Sequence, residues 1–192
     1  MTVSDELINA AVLIPLLVPD AAIGGEAFRL RTRTGELVLP AATEVVLTVR
    51  THTVEHHKGQ ISFPGGAHEP DDATLEATAL RESLEEIGLL PESVEVVAEL
   101  PETPTFATPF RVFPFVGIVR KPMEFKPNPD EIGEIIRVPL SFLMDPAHST
   151  LETYERNGLR VQMRAYHFDS HRIWGATGRM LQILLEKFVS KA

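Results

Sequence analysis

The feature that most constrains this chain is a glycine turn followed by a helix-forming run crowded with carboxylates. Phe63-Pro64-Gly65-Gly66 comes first, then Arg81-Glu82-Ser83-Leu84-Glu85-Glu86-Ile87-Gly88-Leu89. The pattern predicts a helix over 71–87, with Asp71 or Asp72 as N-cap and Gly88 as its C-terminal stop. A helix turns about 100° per residue, so Glu82 and Glu86 stack on one face with Glu85 on the flank. Ala73, Ala77, Leu80, Leu84 and Ile87 form the expected core-facing stripe. Thr78 and Ala79, both small, lie above Glu82, so the acidic face is expected to open onto free space. A solvated acidic face would be the plain explanation, because Glu-x-x-Glu-Glu is common on helices. Two costs weigh against it. The acids occupy the C-terminal half, where the helix dipole disfavours negative charge, and they repel one another at i,i+3 and i,i+4. A divalent cation held beside a polyphosphate would offset both.

The surrounding residues suit that chemistry. Gly65 and Gly66 allow backbone to approach phosphate or metal closely, although an ordinary tight turn would also use them. Arg50, His56, His57 and Lys58 form the nearest basic cluster. The histidines read equally well as solvated loop residues, and a separate metal site from His52, His56 and His57 is the weaker reading. Hard cations such as Mg²⁺ or Mn²⁺ prefer carboxylate oxygens, and they make a pyrophosphate attackable by neutralising its charge and acidifying water. Glu82 and Glu86 are the best metal ligands, with Glu85 third.

The order of these residues resembles the signature of the Nudix hydrolases: Gly, five residues, Glu, seven residues, then Arg-Glu-aliphatic-x-Glu-Glu-x-Gly-aliphatic. Gly66, Arg81, Glu82, Glu85, Glu86, Gly88 and Leu89 match. Asp72 stands in the place of the first Glu, eight residues separate it from Arg81, and Ser83 replaces the aliphatic residue. Upstream, Leu47-Thr48-Val49-Arg50, Gly59 and Phe63-Pro64-Gly65-Gly66 resemble the second signature of the coenzyme A pyrophosphatase branch, with Glu55 where that branch has Arg. Residues 129–132, 138–140 and 173–177 look like the same branch, so the resemblance covers roughly 10–188. It implies an α+β fold, an α/β/α sandwich with a mixed sheet between helices. It also implies that Arg81 orients the first carboxylate through an ion pair, and that a downstream glutamate, here Glu131, serves as base or ligand.

Composition is compatible. The chain has 192 residues, enough for a single domain with a real core over 1–192. The absence of Cys excludes thiol chemistry and fits a reducing cytoplasm. The apolar run 10–18 contains Pro15, is too short to span a bilayer and follows Asp5 and Glu6, so neither a membrane span nor a signal peptide is expected. A net charge of −9 argues against broad nucleic-acid binding. A homodimer is compatible with the sequence.

Patterning predicts strands over 10–18, 44–50, 61–63, 94–100, 112–119 and 159–168. A further β-hairpin is expected within 20–42, turning near Gly35, with a loop over 101–109. Residues 131–138 are expected to lead into a short helix over 141–144, and 173–191 to form an amphipathic terminal helix. Trp174 and the apolar residues after it are expected in the core.

Together these readings predict metal-dependent hydrolysis of the pyrophosphate of coenzyme A or an acyl-coenzyme A. The products would be 4′-phosphopantetheine (or its acyl form) and adenosine 3′,5′-bisphosphate. Glu85 or Glu131 would act as base, with Glu131 preferred because a loop residue can approach from across the site. Arg81 would position a carboxylate, and Arg50, His56, His57, Lys58, Gly65 and Gly66 would hold substrate. Glu55 keeps open a pyrophosphatase for ADP-ribose, NADH or another nucleoside diphosphate derivative. A non-catalytic binding module of the same fold is the other class.

Overall fold

The computed structural model describes residues 7–20, 26–51, 59–105, 109–156 and 159–192. Its centre is β1 (Ile8–Val18), apolar almost throughout and buried from Ala10 onward. A strand covered on both faces needs such a run. β1 pairs in parallel with β9 (Phe110–Arg120) along its whole length, and antiparallel with β4 (Glu44–Arg50). β10 (Ile132–Pro139) adds to β4 and β7 (Val94–Glu99) to β9, giving the order β10-β4-β1-β9-β7. Three short strands complete this mixed sheet: β5 (Ile61–Ser62) on β4, β6 (Gly65–Ala67) on β1, and β8 (Thr103–Pro104) on β9.

Helix α1 (Leu75–Ile87) packs on one face against Leu13, Leu17, Phe115 and Val119. Helices α2 (Leu140–Met144) and α3 (Gly175–Ile183) contribute Leu140, Leu143, Met180 and Leu181 to the core on the other face. Two small sheets flank this side. One is the hairpin β2 (Ala27–Thr32) and β3 (Gly35–Pro40), extended by β14 (Val189–Lys191). The other is β11 (Ser149–Arg156), β12 (Leu159–Phe168) and β13 (His171–Ile173). The layering is the expected α+β sandwich. No helix among the described residues is long and apolar enough to cross a membrane.

Several local expectations are corrected. α1 begins at Leu75, and its N-cap is Thr74, whose hydroxyl accepts the Ala77 N–H at 3.0 Å. Asp72 is unavailable for capping because Arg81 engages it. Gly88 does stop the helix, in a left-handed conformation with φ 67° that Gly adopts without penalty. The buried face of α1 matches the expected stripe only in part: Ile87 is buried and Leu80 packs against the core, but Leu84 is 40% exposed, and Thr78, Ala79, Ser83 and Glu86 face inward beside Ile87. Small side chains let the helix sit close to the sheet, and the Ser83 hydroxyl is satisfied by the Ala79 carbonyl at 2.7 Å. The terminal helix ends at Ile183, passes through a π-helical turn over Leu184–Phe188, and gives way to β14, which pairs with β2. Trp174 is 43% exposed and so lies outside the core.

Candidate functional site

The glycine turn and α1 face each other. Gly65 has φ 153°, and a Cβ there would stand 2.3 Å from the Ala11 carbonyl oxygen. Only glycine lets β6 lie this close to β1. A Cβ on Gly66 would stand 2.5 Å from the Glu82 carboxyl carbon, so the missing side chain is the space that the Glu82 carboxylate fills.

The acidic face therefore closes over the turn, where the sequence suggested open space. Glu86 is 1% exposed. One oxygen accepts the Gly65 N–H at 3.2 Å, and the other lies 3.2 Å from an Arg50 guanidinium nitrogen. Burial pushes its pKa up to about 7, against the pull of Arg50 and the Gly65 N–H, with repulsion from Glu82 and Glu131 adding to the rise. Glu82 is pushed upward by burial too, and Arg81 partly counters this from 2.9 Å. Glu85 is more exposed and pairs with Arg81 at 3.2 Å.

Arg81 is fixed from behind. Its Nε and Nη2 donate to the two Asp72 oxygens at 2.9 and 3.1 Å, and Nη2 also donates to the Ala67 carbonyl at 3.2 Å. The guanidinium, helped by the Glu69 N–H and the Thr78 hydroxyl, holds the Asp72 carboxyl well below the usual carboxylate range, although burial opposes this. The extra residue before Arg81 therefore does not prevent Asp72 from meeting it.

Glu131 reaches the cluster from the loop before β10. Asn128 donates to one carboxylate oxygen at 3.3 Å, and Arg50 approaches the other at 3.7 Å. The loop is tied to the end of α1, because the Lys126 and Asn128 N–H groups donate to the carbonyls of Ile87 and Glu86 at 2.8 and 2.9 Å. Asn128 escaped the sequence reading, since nothing local distinguishes it from a turn residue.

The structure thus brings together Glu82, Glu85, Glu86, Glu131, Arg81, Arg50, Gly65 and Gly66. Arg50 faces the carboxylates and is ion-paired to two of them. His56, His57 and Lys58, with His52 and Glu55, lie outside the described residues. Among the described residues no three acidic, His or Cys side chains converge as a ready cage for a cation. The donor set nevertheless suits a hard divalent ion: it is all carboxylate, it includes one wholly buried member, and its members repel one another.

The NUDIX domain family matches residues 29–156. The chain is 36% identical over 157 residues to a protein of Citrobacter koseri named "Uncharacterized Nudix hydrolase NudL", covering 79% of this chain and 74% of that protein. A protein of the same name from Salmonella paratyphi B is 33% identical over 161 residues, covering 81% and 82%. Among solved structures, a MutT/nudix family protein from Enterococcus faecalis superposes with a TM-score of 0.54 at 12% identity, over 96% of this chain and 62% of that one. That last likeness concerns the fold alone.

Proposed function

Because the chain belongs to the Nudix hydrolase family, we propose that its nucleotide pyrophosphate substrate is coenzyme A or an acyl-coenzyme A, cleaved to 4′-phosphopantetheine (or its acyl form) and adenosine 3′,5′-bisphosphate. Nudix hydrolases generally use divalent metal ions. The observation that carries the reading is Glu86, a carboxylate buried to 1% exposure against the Gly65 N–H and Arg50, with Glu82 pressed onto Gly66 beside it. Folding alone offers no reason to bury that charge.

Glu82 and Glu86, with Glu85 third, would hold Mg²⁺ or Mn²⁺. The cation would supply charge neutralisation at the diphosphate and lower the pKa of water there. Asp72 fixes Arg81, and Arg81 fixes the Glu82 carboxylate. Glu131, steadied by Asn128, stands across from the helix as the proton acceptor for the attacking water. Arg50 is free to exchange carboxylate for phosphate once positive charge enters the cluster.

The choice of coenzyme A rests on the two upstream motifs. Thr48 pairs with Ser62 and Val49 with Ile61, so the Leu47–Arg50 strand runs beside the segment that leads into Phe63-Pro64-Gly65-Gly66. The basic residues of the sequence that joins them, Arg50, His56, His57 and Lys58, would favour a substrate with the additional 3′-phosphate. Formation of the two phosphomonoester products should be followed chromatographically with Mg²⁺ over coenzyme A, dephospho-coenzyme A, ADP-ribose and NADH. A preference of about 10- to 100-fold for coenzyme A over dephospho-coenzyme A is expected, from one or two charge-assisted bonds. Equal specificity constants, or faster cleavage of ADP-ribose, would assign the enzyme to another nucleoside diphosphate derivative. No turnover of any of them would leave a binding module.

A further inference from the structure

Trp174 is the single tryptophan of the chain, and no Phe or Tyr among the described residues is as exposed. It is nevertheless held firmly. Its ring lies 13° from parallel to that of Tyr154, with centroids 5.7 Å apart, and the Arg172 guanidinium carbon sits 4.8 Å from its centroid. The Tyr154 hydroxyl donates to Glu152 at 2.6 Å, and Arg172 donates to that hydroxyl at 2.9 Å and pairs with Glu152. A large apolar ring fixed in place while 43% exposed does little for the core.

Its position gives it something to meet. The segment carrying it is tied by two side-chain contacts to strands that adjoin the candidate site. His171 Nε2 lies 3.1 Å from the Glu134 carboxylate, on the strand that follows Glu131 and opposite Val49, the neighbour of Arg50. The Thr177 hydroxyl donates at 3.0 Å to the carbonyl of Ile61, four residues before Gly65. At about 3.3–3.6 Å of extended chain per residue, the Glu134 and Ile61 backbones lie within about 11 and 15 Å of those of Glu131 and Gly65, and Trp174 is three residues from His171 and from Thr177.

We propose that Trp174, with Tyr154 and Arg172 behind it, is the stacking subsite for the base of the nucleotide pyrophosphate. This deepens the hydrolase reading and rests on it. The chemistry selects a planar, uncharged ring over a phosphate, because the Arg172 charge is already consumed by Glu152 and the surface offered is π-face. Aromatic side chains accept any base this way, and pre-ordered rings lose little entropy in doing so.

Because Trp174 is the only tryptophan, its fluorescence reports the subsite without turnover. Titration of the wild-type protein with adenosine 3′,5′-bisphosphate should give saturable quenching, whereas phosphopantetheine, which has no base, should give none. Trp174→Ala should raise KM for coenzyme A roughly tenfold with kcat nearly unchanged, and Trp174→Phe should recover most of the loss. Saturable quenching supports the subsite even if coenzyme A is not hydrolysed, in which case the proposed function fails alone. Turnover without quenching, or an unchanged KM in Trp174→Ala, overturns the subsite and leaves the hydrolase standing. A Trp174 emission that shifts with protein concentration alone, and not with nucleotide, overturns it in favour of contact between two copies.

Discussion

Glu86→Gln should make the cation-free protein more stable while removing most of its activity. In the folded chain the Glu86 pKa is pushed up to about 7, above its ordinary 4.5. The proton therefore favours the fold. That stability is present in full below pH 4.5, declines as the unfolded chain alone gives up its proton, and is gone once pH passes about 7. The gap corresponds to about 3 kcal/mol at most, and adjustment of neighbouring groups around the charge should reduce it to about 2 kcal/mol. Glutamine keeps an acceptor for the Gly65 N–H and carries no charge, so it escapes the penalty. For a chain of this size the gain is a rise in Tm of about 4–8 °C. Thermal melts in chelator at pH 8 and pH 5 provide the assay: the variant should melt higher at pH 8, and the advantage should shrink at pH 5. Turnover should fall by on the order of 10²-fold or more, as for a lost metal ligand. A variant that melts lower than wild type at pH 8 would show that the Arg50 ion pair outweighs the burial of the charge, and would refute the reasoning.

Four other outcomes follow from the same geometry. Gly66→Ala should displace the Glu82 carboxylate and lower kcat by about 10²-fold or more while circular dichroism stays native, because the new Cβ meets a side-chain end and not backbone. Gly65→Ala should lose stability as well as activity, by more than 1 kcal/mol in denaturant titration, since its Cβ meets the Ala11 carbonyl and its φ is 153°. Ser83→Leu should destabilise by about 1–3 kcal/mol, because Ser83 is fully buried under a close-packed helix. Glu131→Gln should reduce turnover by about 10²–10⁴-fold with Tm nearly unchanged; wild-type turnover there, with loss in Glu85→Gln, would move the base to the helix.

The parts of the fold legible in the sequence were those set by local rules. Gly88 stops α1 because a left-handed residue is needed there, and β1, β4 and β9 follow from apolar runs. Features set by distant partners were not legible. Asp72 reads as an N-cap until Arg81 takes both its oxygens. Residues 189–191 read as helix until β2 supplies an edge to pair with. β11 carries Ser, Thr and Glu and becomes a strand only against β12. The identities of the acids at the site were clear from their spacing, but their direction was not. Leu84 looked like core and Glu86 like surface, because a hydrophobic stripe assumes that a helix buries its most apolar side. Here the small residues Thr78, Ala79 and Ser83 fix the inward face by letting the helix approach the sheet, and Glu86 is carried in with them.

That inversion connects stability to ligand binding. A ligand that binds only the folded state adds about 2.7 kcal/mol of stability at a hundred times its dissociation constant. The burial of Glu86 as an anion removes at most about 3 kcal/mol, so a divalent cation at about a thousand times its dissociation constant, worth about 4 kcal/mol, offsets the whole penalty. Chelator should therefore lower the Tm of the wild-type protein at pH 8 and leave Glu86→Gln nearly unaffected. At pH 5 the difference between the two should narrow, because the folded state then holds the proton at Glu86 in place of the cation. An equal response of both proteins to chelator at pH 8 would mean that the cation is held elsewhere, and that the buried carboxylate answers to Arg50 alone.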